Sequence, residues 1–249
     1  MKSVKISLGV MMAFLLSNCG GGVIGNLVKW RDDNKNLAIE CNVTMTKPGT
    51  EEVLNGNGDG SMHSVKNGNW DQKEKSEYQQ WANGQCQNLL SFLQKSVNYK
   101  NAEIVDTSKI PVAETEFFGK KFSYADYTST RFSYVWKMNL TASKSAEPSQ
   151  YCKGQPAGCS EVTTVVNVRY FVEDWSNKES KMRSIPLQDP FFAICVASNE
   201  SISKNLSNIS DDAFKPLTSA ALDQCHAKVK GKFANFQKEI DELNSKKKS

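Results

Sequence analysis

The sequence predicts an α+β domain in which an antiparallel sheet is covered by one central helix and by a long C-terminal amphipathic helix. Two patterns predict it: alternation of apolar and polar residues in several segments, and apolar residues three and four positions apart in two others. With 39% hydrophobic and 10% aromatic residues, the chain has the composition of a globular domain and not of a disordered tail.

The strand pattern is clearest at residues 37–45, which alternate strictly and end at the turn signal Lys47-Pro48-Gly49. Residues 132–140 alternate in the same way, and residues 161–175 are rich in Val and Thr, which favour strands. Shorter strands are expected at 102–105 and 191–196, whereas the Gly- and Asn-rich residues 55–72 are expected to be loop. Because the central strands follow one another through short or looped connections, we expect an antiparallel sheet.

Two segments have the helical period. Residues 72–98 place apolar side chains near one face, and Gly84 within them, which costs about 1 kcal/mol against Ala, is expected to allow a neighbouring element to approach closely. Residues 218–244 carry a nearly heptad-spaced apolar seam. Such a seam packs across the sheet or forms a coiled-coil contact with a partner. Its members are Leu222, Cys225, Val229, Phe233, Phe236, Ile240 and Leu243.

The cysteines indicate an oxidising compartment. Seven are present, and once Cys19 is set apart the remaining six form an even set suited to three disulfides. Glycine and proline in the segment between Cys152 and Cys159 predict a compact turn, which favours that pair. Six cysteines allow many pairings, and among these we favour Cys195 with Cys225 and Cys41 with Cys86. A zinc site is disfavoured, because no two cysteines are spaced Cys-x2-Cys and the two histidines are isolated.

The N-terminus has the pattern of an export signal. Lys2 and Lys5 precede a mostly apolar run at 6–16, which is shorter than the roughly 20 apolar residues needed to cross a membrane. The run ends in Leu15-Leu16-Ser17-Asn18-Cys19, followed by three glycines. This segment, with Asn18 directly before the cysteine, resembles the relaxed lipobox of spirochaete outer-membrane lipoproteins, a resemblance that covers residues 1–22 alone. It implies that Cys19 begins the mature protein and carries acyl chains such as palmitate; the competing interpretation is a soluble secreted protein with a coincidental cysteine.

The sequence therefore divides into a signal peptide at 1–18, a lipidated tether at 19–35, one α+β domain at 36–245 and a basic tail at 246–249. The resemblance implies a lipid-anchored outer-membrane protein whose domain has a binding or structural role, such as adhesion to host proteins. The alternative is a periplasm-facing lipoprotein that stabilises the envelope through its C-terminal helix. The partner (host or envelope protein), the membrane face and the oligomeric state stay open.

The residues indicate no enzyme and no cofactor, because none of the common nucleophile, metalloprotease, phosphate-loop or dinucleotide motifs occurs. Asn55, Asn57 and Asp59 are spaced as in a calcium loop, but the twelfth position is Lys66 and the match is weak. Adjacent acids such as Glu173 and Asp174 are expected to cap or solvate turns. Nucleic acid is an unfavourable partner, because the net charge is only +4 and the basic residues are almost all lysines.

One aromatic cluster, at residues 117–136, has two interpretations: the inner face of the sheet, or a binding surface. We favour the core, and a binding surface would require several of the rings to be exposed on one contiguous patch. The members are Phe117, Phe118, Phe122, Tyr124, Tyr127, Phe132, Tyr134 and Trp136, interleaved with Lys120, Lys121 and Arg131.

Overall fold

The computed structural model describes residues 23–54, 62–117, 119–149, 159–178, 191–201 and 205–246. The lipobox with Cys19, the calcium-like residues Asn55, Asn57 and Asp59, and Cys152 lie outside the described residues. Within the described chain, sheet and helices form an α+β fold, as the sequence predicts.

Seven of the described strands form one sheet, and two form a separate hairpin. In chain order the strands are β1 (Leu37–Met45), β2 (Gly49–Leu54), β3 (Met62–Asn67), β4 (Ala102–Ile104), β5 (Val112–Phe117), β6 (Lys120–Ala125), β7 (Tyr134–Ser149), β8 (Cys159–Asp174) and β9 (Phe191–Ser201). The hairpin is β5–β6.

The main sheet is mixed and not wholly antiparallel. The long strand β7 pairs along its whole length with β8, and β8 pairs with β9, both in antiparallel register. On its other side β7 pairs first with β1 in parallel and then with the β2–β3 hairpin. β4 lies parallel to the far edge of β1, because a helix intervenes between these strands and carries the chain back before it pairs again.

Three helices accompany the sheet: α1 (Val23–Asp32), α2 (Gln72–Lys95) and α3 (Lys215–Lys246). Helix α1 occupies residues that the sequence predicts to be tether. Its Ile24, Leu27 and Trp30 are buried, and the Trp30 ring stacks on Tyr134 of β7 with centroids 3.9 Å apart. Because these apolar residues recur every third position, a helix can bury all of them, and the folded domain therefore includes Val23.

Helix α2 begins with a capping box. The Asp71 carboxylate accepts the Glu74 backbone N–H at 2.8 Å, and the Glu74 side chain accepts the Asp71 N–H at 3.2 Å. The helix ends at Lys95, three residues earlier than expected, and the chain turns through Asn98 at φ 57°. The expectation for Gly84 is wrong: it is exposed, and a Cβ there would meet nothing within 4 Å.

Residues 62–67, which the sequence predicts to be loop, form β3. Val65 is the only side chain among the described ones of this strand that reaches the core, so an apolar pattern is absent. Backbone pairing with β2 and with the end of β7 holds the strand instead.

Two disulfides fasten helices to the inner face of the sheet. Cys41 of β1 is bonded to Cys86 of α2, with Cα atoms 6.4 Å apart, and Cys195 of β9 is bonded to Cys225 of α3, with Cα atoms 5.5 Å apart. These are pairs that the sequence favours. Cys159, at the start of β8, is also disulfide-bonded. In the described part of the chain, no helix has the length and apolar character needed to cross a membrane.

Candidate binding face

The main sheet has an inner face, covered by the helices, and an outer face that the described helices leave uncovered. Alternate residues of a strand point to opposite faces, and Ile39, Trp136, Val166 and Cys195 point to the core. Their neighbours in each strand therefore point outward. The outward residues of four strands form a surface that we call the open face. They are Asn42 and Thr44 of β1, Asn139, Thr141 and Ser143 of β7, Thr163, Val165, Asn167 and Arg169 of β8, and Phe192, Ile194 and Val196 of β9.

The pairing register arranges the open face in rows that run from polar to apolar. One row crosses the sheet from Asn42 through Asn139 and Arg169 to Phe192. The next row runs from Thr44 through Thr141 and Asn167 to Ile194. The face therefore has a polar centre of amide and hydroxyl groups and an apolar margin along β9.

The apolar margin is exposed to an unusual degree. Phe192, Ile194 and Val196 have relative exposures of 50%, 46% and 47%, whereas the residues between them, Ala193 and Cys195, are buried against α3. Single exposed apolar residues are ordinary, but three in a row on one strand form a patch, and patches mark interaction sites.

Sequence reasoning finds the β9 strand but not this patch. Residues 191–197 are apolar without alternation, which is equally typical of a strand buried on both faces. Which alternate residues of such a run are exposed depends on the position of the strand at the edge of the sheet. The residues of the run do not encode that position.

One end of the outer face is closed by a polar cluster beneath residues 126–133. The Lys137 ammonium lies 3.5 Å from Glu40 Oε2 and 3.0 Å from Glu173 Oε1. The Tyr127 hydroxyl donates to Glu40 Oε2 at 3.0 Å. Burial and the nearby Glu40 carboxylate raise the pKa of Tyr127, so the hydroxyl stays protonated as a donor. Glu173, expected to solvate a turn, is thus part of a buried cluster.

The cluster is connected to the open face through Asn42. The Asn42 amide nitrogen lies 2.9 Å from Glu40 Oε1 and 3.1 Å from Asn139 Oδ1, so the first polar row is oriented by the buried carboxylate. The Lys178 ammonium holds the covering segment by donating to the carbonyls of Tyr127 and Phe132 at 3.1 and 2.9 Å. One end of the open face is therefore closed by a segment that these hydrogen bonds hold in place.

The aromatic cluster at 117–136 is divided between the two interpretations. Tyr127, Phe132, Tyr134 and Trp136 are buried, as expected for core. Phe122 and Tyr124 of the β5–β6 hairpin are 48% and 40% exposed, and their strand positions place them on one face of that hairpin. The side chains of Phe117, Phe118 and Lys120 lie outside the described residues.

A surface cleft of about 330 Å³ lies between α2 and α3 and is lined by Gln85, Asn88, Phe92, His226, Lys230 and Phe233. It contains His226, which the sequence places beside Cys225. Because the Cys225 sulfur is bonded to Cys195, it cannot act as the thiolate of a Cys–His pair. Among the described residues, no three or more His, Cys, Asp or Glu side chains converge to hold a metal ion.

Comparison with known proteins identifies no family and finds a distant likeness to solved structures. No family model matches the sequence, and no curated protein matches it. A crystal structure described as a neuraminyllactose-binding hemagglutinin homolog from Helicobacter pylori aligns over 84% of this chain and 91% of its own, with 11% identity and a TM-score of 0.32. That likeness is too distant to carry an argument about function.

Proposed function

We propose that this protein is a lipid-anchored component of the outer envelope whose disulfide-braced domain binds another protein through its open face. The proposal rests on the outer sheet face, which the described helices leave uncovered, and on its exposed margin of Phe192, Ile194 and Val196. The domain displays the face, and the lipid on Cys19 keeps it at the membrane surface.

Support for the anchor comes from the sequence. The apolar run at 6–16 ends three residues before Cys19, and the glycines at 20–22 provide a short tether before α1. Several acyl chains on one cysteine give stable attachment, whereas a single chain binds a membrane only marginally. The even number of other cysteines agrees with export to an oxidising compartment.

Support for a protein as the partner comes from the shape and chemistry of the face. Small molecules usually bind in concave, mostly apolar pockets, whereas the open face is a sheet surface on which, in the described chain, no strand follows β9. An apolar patch beside amide and hydroxyl groups is typical of protein–protein interfaces, whose apolar centre is surrounded by polar contacts.

The apolar seam of the C-terminal helix packs inside the domain. Cys225, Val229, Phe236 and Ile240 are between 0% and 9% exposed, and they pack against the sheet and α2. Leu243, at 36%, is the exposed end of the seam. A coiled-coil contact would need these buried side chains, so the structure favours the open face over α3 as the surface for a partner.

The anchor is tested with a fatty-acid analogue that can be labelled, fed to cells that express the protein. We expect the native protein to be labelled in the membrane fraction and the Cys19→Ser variant to be unlabelled. Protease treatment of intact cells then distinguishes the outer surface from the periplasmic face. Equal labelling of both forms would contradict the proposed anchor.

The open face is tested by placing a photo-crosslinking residue at Thr141, which is exposed at its centre, and at Ser219, which is exposed on α3. After irradiation of intact cells, we expect position 141 to yield a discrete adduct that position 219 does not. If both positions give the same adducts, or neither gives any, the open face is not a binding surface.

A further inference from the structure

Strand β9 is an edge strand, and its backbone directions can be worked out. In the described chain it pairs with β8 alone. The Trp175 N–H donates to the Ser133 carbonyl at 2.8 Å, so Ser133 and Trp175 are a hydrogen-bonded pair at the end of the β7–β8 ladder. Because hydrogen-bonded and non-bonded pairs alternate, odd-numbered residues of β8 bond to β7 and even-numbered ones bond to β9.

The same alternation then fixes β9. Its odd-numbered residues, including Ala193 and Cys195, lie opposite even-numbered residues of β8 and bond to them. Phe192, Ile194 and Val196 therefore direct their N–H and C=O groups away from the sheet. An independent contact agrees: the Lys228 ammonium of α3 donates to the Ile194 carbonyl at 2.5 Å.

This edge combines two features that strand addition requires. It offers outward-pointing backbone groups at alternate residues, and the same residues carry the exposed apolar side chains. Natural edge strands are usually interrupted by charged residues, proline or bulges, but residues 191–199 contain no charged residue, proline or glycine, and the first charged residue of β9 is Glu200.

Beside the apolar part of the edge the charges are positive, whereas Glu200, near the end of β9, lies opposite Glu161 of β8. Lys228 lies on the helix side, and Arg169, opposite Phe192 on β8, lies on the open face. A second copy of this chain, paired antiparallel about Ile194, would bring two Lys228 ammonium groups to the same pair of carbonyls. This repulsion disfavours self-pairing, whereas a carboxylate on an incoming strand would be attracted.

We propose that β9 accepts an extended acidic segment of a partner protein as an additional strand of the sheet. The backbone of that segment pairs with Phe192, Ile194 and Val196, and its apolar side chains lie beside theirs on the open face. A carboxylate of the segment forms an ion pair with the Lys228 ammonium, which then no longer donates to the Ile194 carbonyl. That carbonyl can then accept a hydrogen bond from the backbone of the segment. This inference rests on the proposed function, since it names how the open face holds its partner.

The test uses the purified, disulfide-intact protein and fluorescent peptides in which valine alternates with glutamate and threonine. A matched peptide has lysine in place of every glutamate. We expect the acidic peptide to bind about tenfold or more tightly than the basic one, and the Lys228→Gln variant to lose most of that preference. Equal affinity of the two peptides for the native protein would overturn the proposal.

Two variants separate this inference from the broader function. Ile194→Pro removes an N–H that points away from β8, which an edge strand tolerates, and should abolish peptide binding. Ser219→Lys changes an exposed position of α3 that lies outside the open face, and it should leave the peptide bound. If Ile194→Pro binds the peptide as tightly as the native protein while the crosslinking residue at position 141 still gives its adduct in cells, the face binds its partner without strand addition.

Hydrogen exchange of the β9 amides completes the test. In the free protein the amides of Ile194 and Val196 should exchange faster than those of Ala193 and Cys195, and the acidic peptide should slow them. Slow exchange in the free protein that is accompanied by a dimer at every concentration would identify a second copy as the occupant and overturn the proposal. Retention of the native circular dichroism spectrum by each variant shows that loss of binding is not loss of fold.

Discussion

Lys144 is fully buried, and its surroundings show how the interior accommodates a charge. The ammonium lies 2.5 Å from the Glu74 carboxylate, donates to the Asn69 carbonyl at 3.0 Å, and sits 4.4 Å from the centre of the Trp70 ring. Glu74 also accepts the Thr218 hydroxyl at 3.0 Å. The group therefore connects β7 to the first turns of α2 and α3.

Removal of this cation should be strongly destabilising. The Lys144→Met variant leaves the Glu74 carboxylate buried without its charge partner, which costs about 3–5 kcal/mol. In the double variant that carries both Lys144→Met and Glu74→Gln, much of the lost free energy of unfolding should be restored. Urea unfolding of the single and double variants measures both effects, and simple additivity of the two single changes would contradict the pairing.

Asp71 gives the stability a pH dependence. The Glu74 backbone N–H, and the positive charges of Lys215 and Lys144, hold the pKa of this carboxyl below its ordinary value of 3.8. A carboxyl whose pKa is lower in the folded state stabilises above its unfolded pKa, and that contribution is lost as the pH falls through the folded pKa.

The Asp71→Asn variant keeps a capping side chain but cannot titrate. Between pH 5 and the acid limit of folding, the wild type should therefore lose more stability than the variant. Urea unfolding across this range measures the difference, and parallel curves would show that Asp71 does not contribute.

At the scale of elements, two glycines make a matched pair. A Cβ at Gly68 would lie 2.8 Å from the buried Phe214 ring, which cannot move aside, whereas a Cβ at Gly84 on the surface of α2 meets nothing within 4 Å. Gly68→Ala should destabilise by about 1–3 kcal/mol, and Gly84→Ala should stabilise by up to about 1 kcal/mol. Thermal unfolding separates them, and a stabilised Gly68→Ala would contradict the close packing.

Elements with a strong local period could be predicted, and those held by distant partners could not. The alternation at residues 37–45 and the helical period at 72–98 arise from one face of each element meeting the core, and both are observed. Strand β3 and the parallel pairing of β1 with β7 arise from backbone contacts between distant segments. In helix α1 the helical period extends over only three apolar positions. This pattern is too short for the sequence to distinguish a helix from a tether.

The open face is also only partly predictable from the sequence. The apolar run at 191–196 is visible in the sequence, but its position at an edge results from the order of the described strands in the sheet. Positions such as Asn42, Asn139 and Arg169 become neighbours only through the register, so no spacing in the chain brings them together.

Over the whole molecule, two disulfides join the helices to two separate strands of the sheet, β1 and β9, on its inner face. They enclose sequence separations of 45 and 30 residues, and each should restrict the unfolded chain enough to stabilise the fold by roughly 4 kcal/mol. Replacing Cys41 and Cys86 by Ala, or Cys195 and Cys225 by Ala, should reduce the free energy of unfolding by about that amount. The urea midpoint should fall accordingly. Unchanged midpoints would show that the fold does not need these bonds.

We propose that the protein is a lipid-anchored envelope component with its other cysteines paired. Intact-mass spectrometry of the protein from its native membrane, before and after reduction, tests this most directly. We predict a chain that begins at Cys19 with added acyl mass and gains two hydrogens for each pair among the other six cysteines when reduced. A chain that retains Met1, carries no acyl group and gains no hydrogen on reduction would contradict the account.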